Sequence, residues 1–443
     1  MSTIVAISTP VGAGGIGIVR VSGEDALKIA DAIFVCKGKI SSAAVKLAAE
    51  PLKMCFGHFR ASDFSDCGYA VYFPASKAYT GEDTVELYLH GGVRIMRGAV
   101  EEALKHGARA AERGEFTKRA FLAGRLSLAD AEGVADMINA ESAAGLRAAY
   151  RLMDGSVSRT VNDIADRLLA LISGLEVVLD YPEETEDEVL PSLADETGKL
   201  LAAVRKLIAS AGRGRIAKYG VTAALAGRPN AGKSSLMNAL LGEERAIVTD
   251  VAGTTRDTVE GSIECRGVRI NLIDTAGLRE SGDAIEREGI ARALKAAQGA
   301  DVIVRVIDTS SQDEDDDAFD FGEKRIFTVY SKCDLTSFRC PRMRDCFAVS
   351  AKDGTGVEEL KEALASLYGE GAEDGEVITS ERHLSALYSA ESALKNAVES
   401  HDATVDCILI DLREAYDALG EITGRTATEA VVDEIFDKFC VGK

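Results

Sequence analysis

No apolar run in this chain reaches the ~18–20 residues needed to span a bilayer, so no membrane span is expected. The opening Met-Ser-Thr-Ile-Val-Ala-Ile-Ser lacks the basic start and long apolar stretch of a secretory signal. None of the nine cysteines forms a Cys-x-x-Cys pair, which argues against a zinc knuckle or a disulfide framework. A reducing, cytoplasmic setting is expected. Positive charge is also scarce: 51 Lys and Arg face 72 Asp and Glu, a formal net charge of −21. Such a chain cannot coat nucleic acid by bulk electrostatics, so any RNA contact must be local or shared with a more basic partner.

What is present is enough for several cores. At 443 residues, 46% apolar and 28% charged, the chain is expected to form two to four ordered domains. Residues 1–117 alternate short β-like runs with glycine turns and read as an α+β domain. Residues 118–215 turn helical: 120–148 is rich in Ala, Leu and Glu. Val161, Ile164, Leu168, Ile172, Leu175 and Leu179 then mark one face of a long helix. The acidic YPEETEDE stretch from Tyr181 and the Gly212-Arg-Gly-Arg215 segment are expected to break this pattern. Strands alternate with helices over 216–371, and helix returns over 372–443. The expected architecture is therefore multidomain: an α+β domain, then a discontinuous helical domain interrupted by an inserted α/β domain.

The inserted domain carries the clearest chemistry. A short apolar strand at 221–226 leads into Gly227-x4-Gly232-Lys233-Ser234 and then a helix, the context that a phosphate-binding loop requires. Backbone N–H groups can turn inward around phosphate, Lys233 can supply a point charge, and Ser234 can ligate Mg2+. Asp274-Thr-Ala-Gly277 ends a later strand, placing Asp274 to support the Mg2+ shell and the Gly277 N–H to meet a γ-phosphate. Ser331-Lys-Cys-Asp334 and Ser350-Ala-Lys352 follow two further strands and resemble the guanine-reading elements of translation-factor-like GTPases. An Asp there accepts both guanine N1–H and N2–H2, which adenine cannot offer. The expected nucleotide contacts are Asn230, Ala231, Gly232, Lys233, Ser234, Ser235, Thr254, Thr255, Asp274, Gly277, Lys332, Asp334, Ser350, Ala351 and Lys352. Ser331 stands where this pattern usually has Asn, which predicts weakened affinity with guanine preference retained through Asp334. Leu278 occupies the position of the Ras-like glutamine and cannot orient water.

GRPNAGKSSLMNALL, DVAGTTRD, DTAGLRE, the N-terminal TPVGAGGIGIVRVSG, YTGEDTVEL and RGEFTKRAFLAGRLSLADAE, and the terminal Phe439-Cys-Val-Gly-Lys443 together resemble the MnmE (TrmE) family of tRNA-modifying GTPases. The likeness spans essentially the whole chain. It implies a Ras-like P-loop G domain that dimerises in GTP and K+. The K+ would be held by Asn230, Thr249, Val251 and Thr254, and would stand in for an arginine finger. It further implies Glu286 as the water-orienting acid. From the residues alone, Glu286 reads as a solvated residue at a helix start, where the helix dipole favours an acid. Thr255 is preferred over Thr254 as the Mg2+ ligand beside Ser234.

The resemblance also implies an N-terminal domain that forms a homodimer and binds a tetrahydrofolate derivative (5,10-methylene or 5-formyl) through Arg20, Glu82 and Arg125. Arg125 stands where the family usually has Lys. A dinucleotide reading of Gly12-Ala-Gly14-Gly-Ile-Gly17 fails, because a strand-like run follows it and not a helix. Cys440 matches a cysteine required for the modification reaction. The implied partners are tRNA and the flavoprotein MnmG (GidA), which brings FAD and NADH. The implied reaction modifies C5 of the wobble uridine, by carboxymethylaminomethyl or aminomethyl chemistry. The alternative from the G domain alone is a GTP-switched ribosome or RNA assembly factor. The acidic 313–320 segment reads as a solvated loop.

Overall fold

The computed structural model describes all residues except 1, 39–41, 229, 243–260, 275–298, 311–320, 336–339, 342, 370–376, 400–403 and 443, and the side chains of 182–192. Two compact units emerge. One comprises 1–135, 152–197 and 392–443, the other 136–151 and 198–391. Among the described residues no helix is long and apolar enough to cross a membrane.

The first unit is built on a seven-stranded sheet of order β3-β4-β5-β6-β2-β1-β7. Its strands are β1 (Ile4–Ile7), β2 (Gly14–Ser22), β3 (Phe34–Cys36), β4 (Cys55–Arg60), β5 (Ser65–Phe73), β6 (Thr84–Gly91) and β7 (Arg109–Ala110). The glycine-rich segment thus runs into a strand, as the sequence predicts. β4 alternates strictly, with Cys55, Gly57 and Phe59 inward and Phe56, His58 and Arg60 outward, the signature of a sheet covered on one face. Helices α1 (Ala26–Ile33), α2 (Ala43–Ala49) and α3 (Val93–Lys105) supply that cover. Ile29, Ile33, Leu47, Met96 and Ala99 pack there against Val19, Val21 and Leu87.

The predicted helix over 120–148 is divided into α4 (Glu115–Leu122), α5 (Leu128–Asn139) and α6 (Ala143–Met153). Gly124, at φ +66°, turns the chain after α4 in a conformation that only glycine adopts without strain. In α7 (Ser156–Asp180) the predicted face is buried at Val161, Ile164, Leu168, Ile172 and Leu175, while Leu179 is 42% exposed. Each buried Leu or Ile contributes about 1.5–3 kcal/mol. One predicted break occurs, at Tyr181 between α7 and the next helix, but the one at 212–215 does not, because α8 runs unbroken over Pro182–Tyr219. Proline suits a first helical position, where no N–H is needed. Gly214 lies mid-helix because an added Cβ would fall 2.0 Å from the Ile378 carbonyl oxygen, so close packing and not a turn demands it.

The second unit holds a six-stranded sheet of order β13-β12-β11-β8-β10-β9. Its strands are β8 (Val221–Ala226), β9 (Gly261–Cys265), β10 (Val268–Asp274), β11 (Val302–Asp308), β12 (Arg325–Ser331) and β13 (Cys346–Val349). All pair in parallel except β9, which joins β10 antiparallel at the edge. β8 is buried at all six positions, as a central parallel strand must be. Helices α9 (Lys233–Leu241) and α10 (Val357–Ala365) pack Leu236, Leu240, Leu360 and Leu364 onto one face. The strand order and the glycine loop after β8 are those of a Ras-like G domain. The remaining helices are α11 (Glu381–Glu399), α12 (Val405–Thr423) and α13 (Glu429–Asp437). Within the first unit α12 packs along α7, with Arg413 on Glu176 at 2.6 Å and Arg425 on Asp166 at 3.0 Å.

Candidate nucleotide and folate sites

The carboxyl ends of β8, β10, β11, β12 and β13 lie side by side, the place where open α/β sheets bind ligands. Register sets Asp274 opposite Leu225, Asp308 opposite Ser331, and Ser331 opposite Val349. The phosphate loop leaves β8 through Gly227, at φ +151°, where an added Cβ would lie 2.3 Å from the Val306 carbonyl oxygen. Asn230 at φ +63° and Gly232 at φ +96° complete its left-handed turns before α9 begins at Lys233.

Lys233 is 6% exposed. Its ammonium donates to the Gly227 and Arg228 carbonyls, both at 2.8 Å, so the loop closes around its own cation. Burial pushes its pKa down, opposed by the Asp274 carboxylate. The Ser234 hydroxyl donates to Asp274 Oδ2 at 3.2 Å. A hydroxyl and a carboxylate at that spacing offer the hard oxygens that Mg2+ prefers. These residues fit a nucleotide phosphate with its metal.

On the base side, Lys332 at φ +59° donates to Asp308 Oδ2 at 2.6 Å and to the Asn230 carbonyl at 3.1 Å. Burial works to raise the Asp308 carboxyl, but Lys332 and the Ser310 donors outweigh it and hold it below its ordinary range. Ser331 is 6% exposed, and its hydroxyl lies 2.6 Å from the Ala231 carbonyl oxygen and 3.1 Å from that of Ile307. It is thus a bridge from β12 to the phosphate loop, not a reader of the base. The Thr309 hydroxyl donates to the Ser331 carbonyl at 2.9 Å and fixes the same turn. Asp334, Ala351 and Lys352 are exposed beside this floor, while Ser350 is fully buried and receives the Asp353 N–H. Gly356, at φ +74°, has the Ala348 carbonyl oxygen 2.0 Å from where a Cβ would be, which pins the 350–356 turn. Asp308, Thr309 and Gly356 carry no motif of their own. Only the strand register exposes their roles. Ser235 follows Ser234 on α9. Thr249, Val251, Thr254, Thr255, Gly277, Leu278, Glu286 and the 313–320 segment lie outside the described residues.

In the first unit, Arg20 on β2 donates to Glu86 Oε1 at 2.8 Å, and Tyr88 donates to Glu86 Oε2 at 2.7 Å. The Arg20 guanidinium lies 5.5 Å over the Phe116 ring. Glu82 Oε2 accepts from Arg119 at 2.7 Å and from the Ser22 hydroxyl at 3.3 Å. Arg119, 4% exposed, also donates to Glu115 at 2.9 Å and to the Ser2 carbonyl at 2.8 Å. The Glu115 carboxyl, raised by burial, is brought below its ordinary range by Arg109, the Glu112 N–H and Arg119. Arg125 donates to the Ala75 carbonyl at 2.6 Å, next to the turn where Gly81 approaches its side chain. Arg20, Glu82 and Arg125 therefore share one end of the sheet, on a floor that includes Phe116, Arg119 and Glu86. Sequence reading missed Arg119, whose arginine is indistinguishable from a surface charge until its burial is seen.

Cys440 is exposed and belongs to the same unit. Phe436 and Phe439 are buried beside Phe121 and anchor the end of α13. The tail beyond is held by backbone: Gly114 N–H donates to the Cys440 carbonyl at 3.4 Å, and the Ser8 hydroxyl donates to the Gly442 carbonyl at 3.1 Å. Gly442, at φ +97°, passes so close to β1 that a Cβ would fall 2.1 Å from the Ile7 carbonyl oxygen.

Residues 3–125 match a family model described as the GTP-binding protein TrmE N-terminus, and residues 128–440 match the MnmE helical domain. The tRNA modification GTPase MnmE of Acetivibrio thermocellus is 38% identical, covering 100% of this chain and 99% of its own. That of Xanthomonas campestris pv. campestris is 42% identical with the same coverage. Among solved structures, Aquifex aeolicus Era bound to GDP and AlF4− is 27% identical over 39% of this chain and 66% of its own, with a TM-score of 0.27.

Proposed function

The chain belongs to the MnmE family of tRNA modification GTPases. From that premise we propose a K+-stimulated GTPase that, with the flavoprotein MnmG, modifies C5 of the wobble uridine of certain tRNAs. The carbon donor in this reading is 5,10-methylene- or 5-formyl-tetrahydrofolate. The observation that carries the GTPase part is the convergence of Lys233, Ser234, Asp274 and the 331–334 and 350–352 turns at one edge of a parallel sheet.

In this reading the loop N–H groups and Lys233 bind the β- and γ-phosphates, and Ser234, with Asp274 behind it and Thr255, holds Mg2+. Asp334 accepts the guanine N1–H and N2–H2. Lys332 holds its turn against Asp308. The fixed cation supplies charge stabilisation where a Ras-like glutamine and an arginine finger are missing. Asn230, Thr249, Val251 and Thr254 are assigned to K+, and Glu286 to orienting water.

For the folate, Glu82 keeps Oε1 without a hydrogen-bond partner among the described residues, while Arg119 and Ser22 fix Oε2. A carboxylate held that way can accept a pair of N–H donors from a pterin edge. Arg20 and Arg125 suit the carboxylates of the same ligand. Cys440, docked on this unit, is assigned to the modification chemistry and not to hydrolysis. The acidic net charge suits a division of labour in which the partner carries most of the tRNA contact.

The test is GTP turnover in K+ against Na+, with wobble-uridine analysis of tRNA from cells lacking the gene and complemented by variants. Turnover is expected to fall in Na+ and in Glu286→Ala. Cys440→Ser is expected to lose modification while keeping turnover. Equal turnover in both salts removes the cation mechanism, and normal modification by Cys440→Ser removes that residue from the chemistry.

A further inference from the structure

The open face of the first unit's sheet carries a cluster that neither the nucleotide nor the folate reading uses. Register sets His58 of β4 opposite Cys67 of β5. The β5–β6 ladder pairs Tyr69 with Tyr88, and the strands continue past it to Cys67 and His90. Residues paired across antiparallel strands share a face with Cβ atoms ~4.5–5.5 Å apart. His58, Cys67 and His90 are all exposed. Donor atoms of Asp66, Cys67 and His90 lie within 4.8 Å of one another, the one such grouping among the described residues.

Asp66 is already engaged in holding the others. Its Oδ1 lies 2.6 Å from His90 Nδ1 and accepts the Cys67 N–H at 2.8 Å, while Oδ2 accepts the His90 N–H at 3.0 Å. Its side chain is 9% exposed against 61% for His90. A sheltered carboxylate on Nδ1 fixes the imidazole tautomer with its proton there, which turns the Nε2 lone pair outward. That is the outer-shell arrangement of a histidine metal ligand. A thiolate beside an imidazole selects a borderline-soft ion such as Zn2+ over Mg2+ or Ca2+. Few protein ligands on an open face leave a coordination position for water or another group.

We propose that Cys67 and His90 bind a zinc-class divalent ion, with Asp66 as the carboxylate partner of His90 and water completing the shell. Binding forms the metal–sulfur bond as the thiol proton passes to solvent, so affinity falls on acidification.

The test uses the full-length chain, freed of metal with a chelator and titrated with Co2+ and then Zn2+. One equivalent of Co2+ is expected to produce a thiolate-to-cobalt charge-transfer band that Zn2+ removes. Cys67→Ser should abolish the band. His90→Gln should weaken Zn2+ binding at least ~10-fold, and Asp66→Asn by ~10–100-fold, as for lost outer-shell partners. Cys407→Ser, at another exposed cysteine, should change nothing. No band, or a band that survives Cys67→Ser, overturns the site. Unchanged affinity in both His90→Gln and Asp66→Asn also overturns it, because it leaves a thiol binding by itself. Far-UV circular dichroism and thermal melts of each variant report that the first unit is folded.

Discussion

Replacing Ser331 with alanine removes the hydroxyl that spans β12 and the phosphate loop. The Ser331 oxygen is 2.6 Å from the Ala231 carbonyl and 3.1 Å from the Ile307 carbonyl, at a position only 6% exposed. A hydroxyl has one proton, so it donates fully to one of these acceptors, and the shorter contact identifies Ala231. Alanine leaves that carbonyl buried without its donor, at a cost of about 1–3 kcal/mol. The cost falls on the loop conformation that binds phosphate, and the apparent dissociation constant rises by the inverse of the competent fraction. At 1.4 kcal/mol per decade, GTP affinity should drop by ~5- to 150-fold. Ser331→Asn is the informative companion, since an amide brings two N–H donors to the same two carbonyls and should match or exceed the native affinity. The assay is equilibrium binding of a fluorescent GDP or GTP analogue, with stopped-flow dissociation. Ser331→Ala within twofold of the native protein would refute the bridge.

Arg119→Ala strips a buried cation from Glu82 and Glu115 and should cost about 3–5 kcal/mol, read by chemical denaturation. Glu102→Gln should lower stability near neutral pH. Lys105 and Ser62 hold the Glu102 carboxyl at about 2, below the ordinary 4.5. Its contribution is therefore complete above about 4.5 and is lost as pH falls toward about 2, so thermal melts of the two proteins should converge across that window. Gly214→Ala drives a methyl onto the Ile378 carbonyl and should destabilise by about 1–3 kcal/mol, although alanine is the better helix former. An Asp334→Ala variant should lose its preference for GTP over ATP in competition binding; retained discrimination would move base reading elsewhere.

The G domain was legible because its chemistry is written in short, ordered segments, each falling at the end of an apolar strand. Lys233, Ser234 and Asp274 needed only spacing. Ser331 shows the limit of that method. The motif marks it as a weak substitute for Asn, but its bond partner lies in a loop 100 residues away and becomes visible only through the sheet register. The break expected at 212–215 fails for a related reason. Gly124 turns the chain by adopting positive φ, whereas Gly214 stays helical because a neighbouring carbonyl needs the space. Glycine composition is identical in the two cases, and the neighbour decides. Strand β4 holds no β-branched residue, so propensity does not mark it, although its burial alternates without exception. Arg20, Glu82 and Arg125 came from resemblance alone. What physical reasoning adds is Arg119, the buried cation that ties one of them down.

The bond between Ser8 and Gly442 joins residues 434 apart in sequence. On a ribosome adding roughly 5–20 residues per second, β1 waits about 20–90 s before the segment that seats Cys440 even exists. During that interval β1 offers the groove around Ile7 to any extended segment that reaches it first. Assembly of the first unit is therefore a problem of timing: its first strand is among the earliest parts made, and its closing contact is among the last.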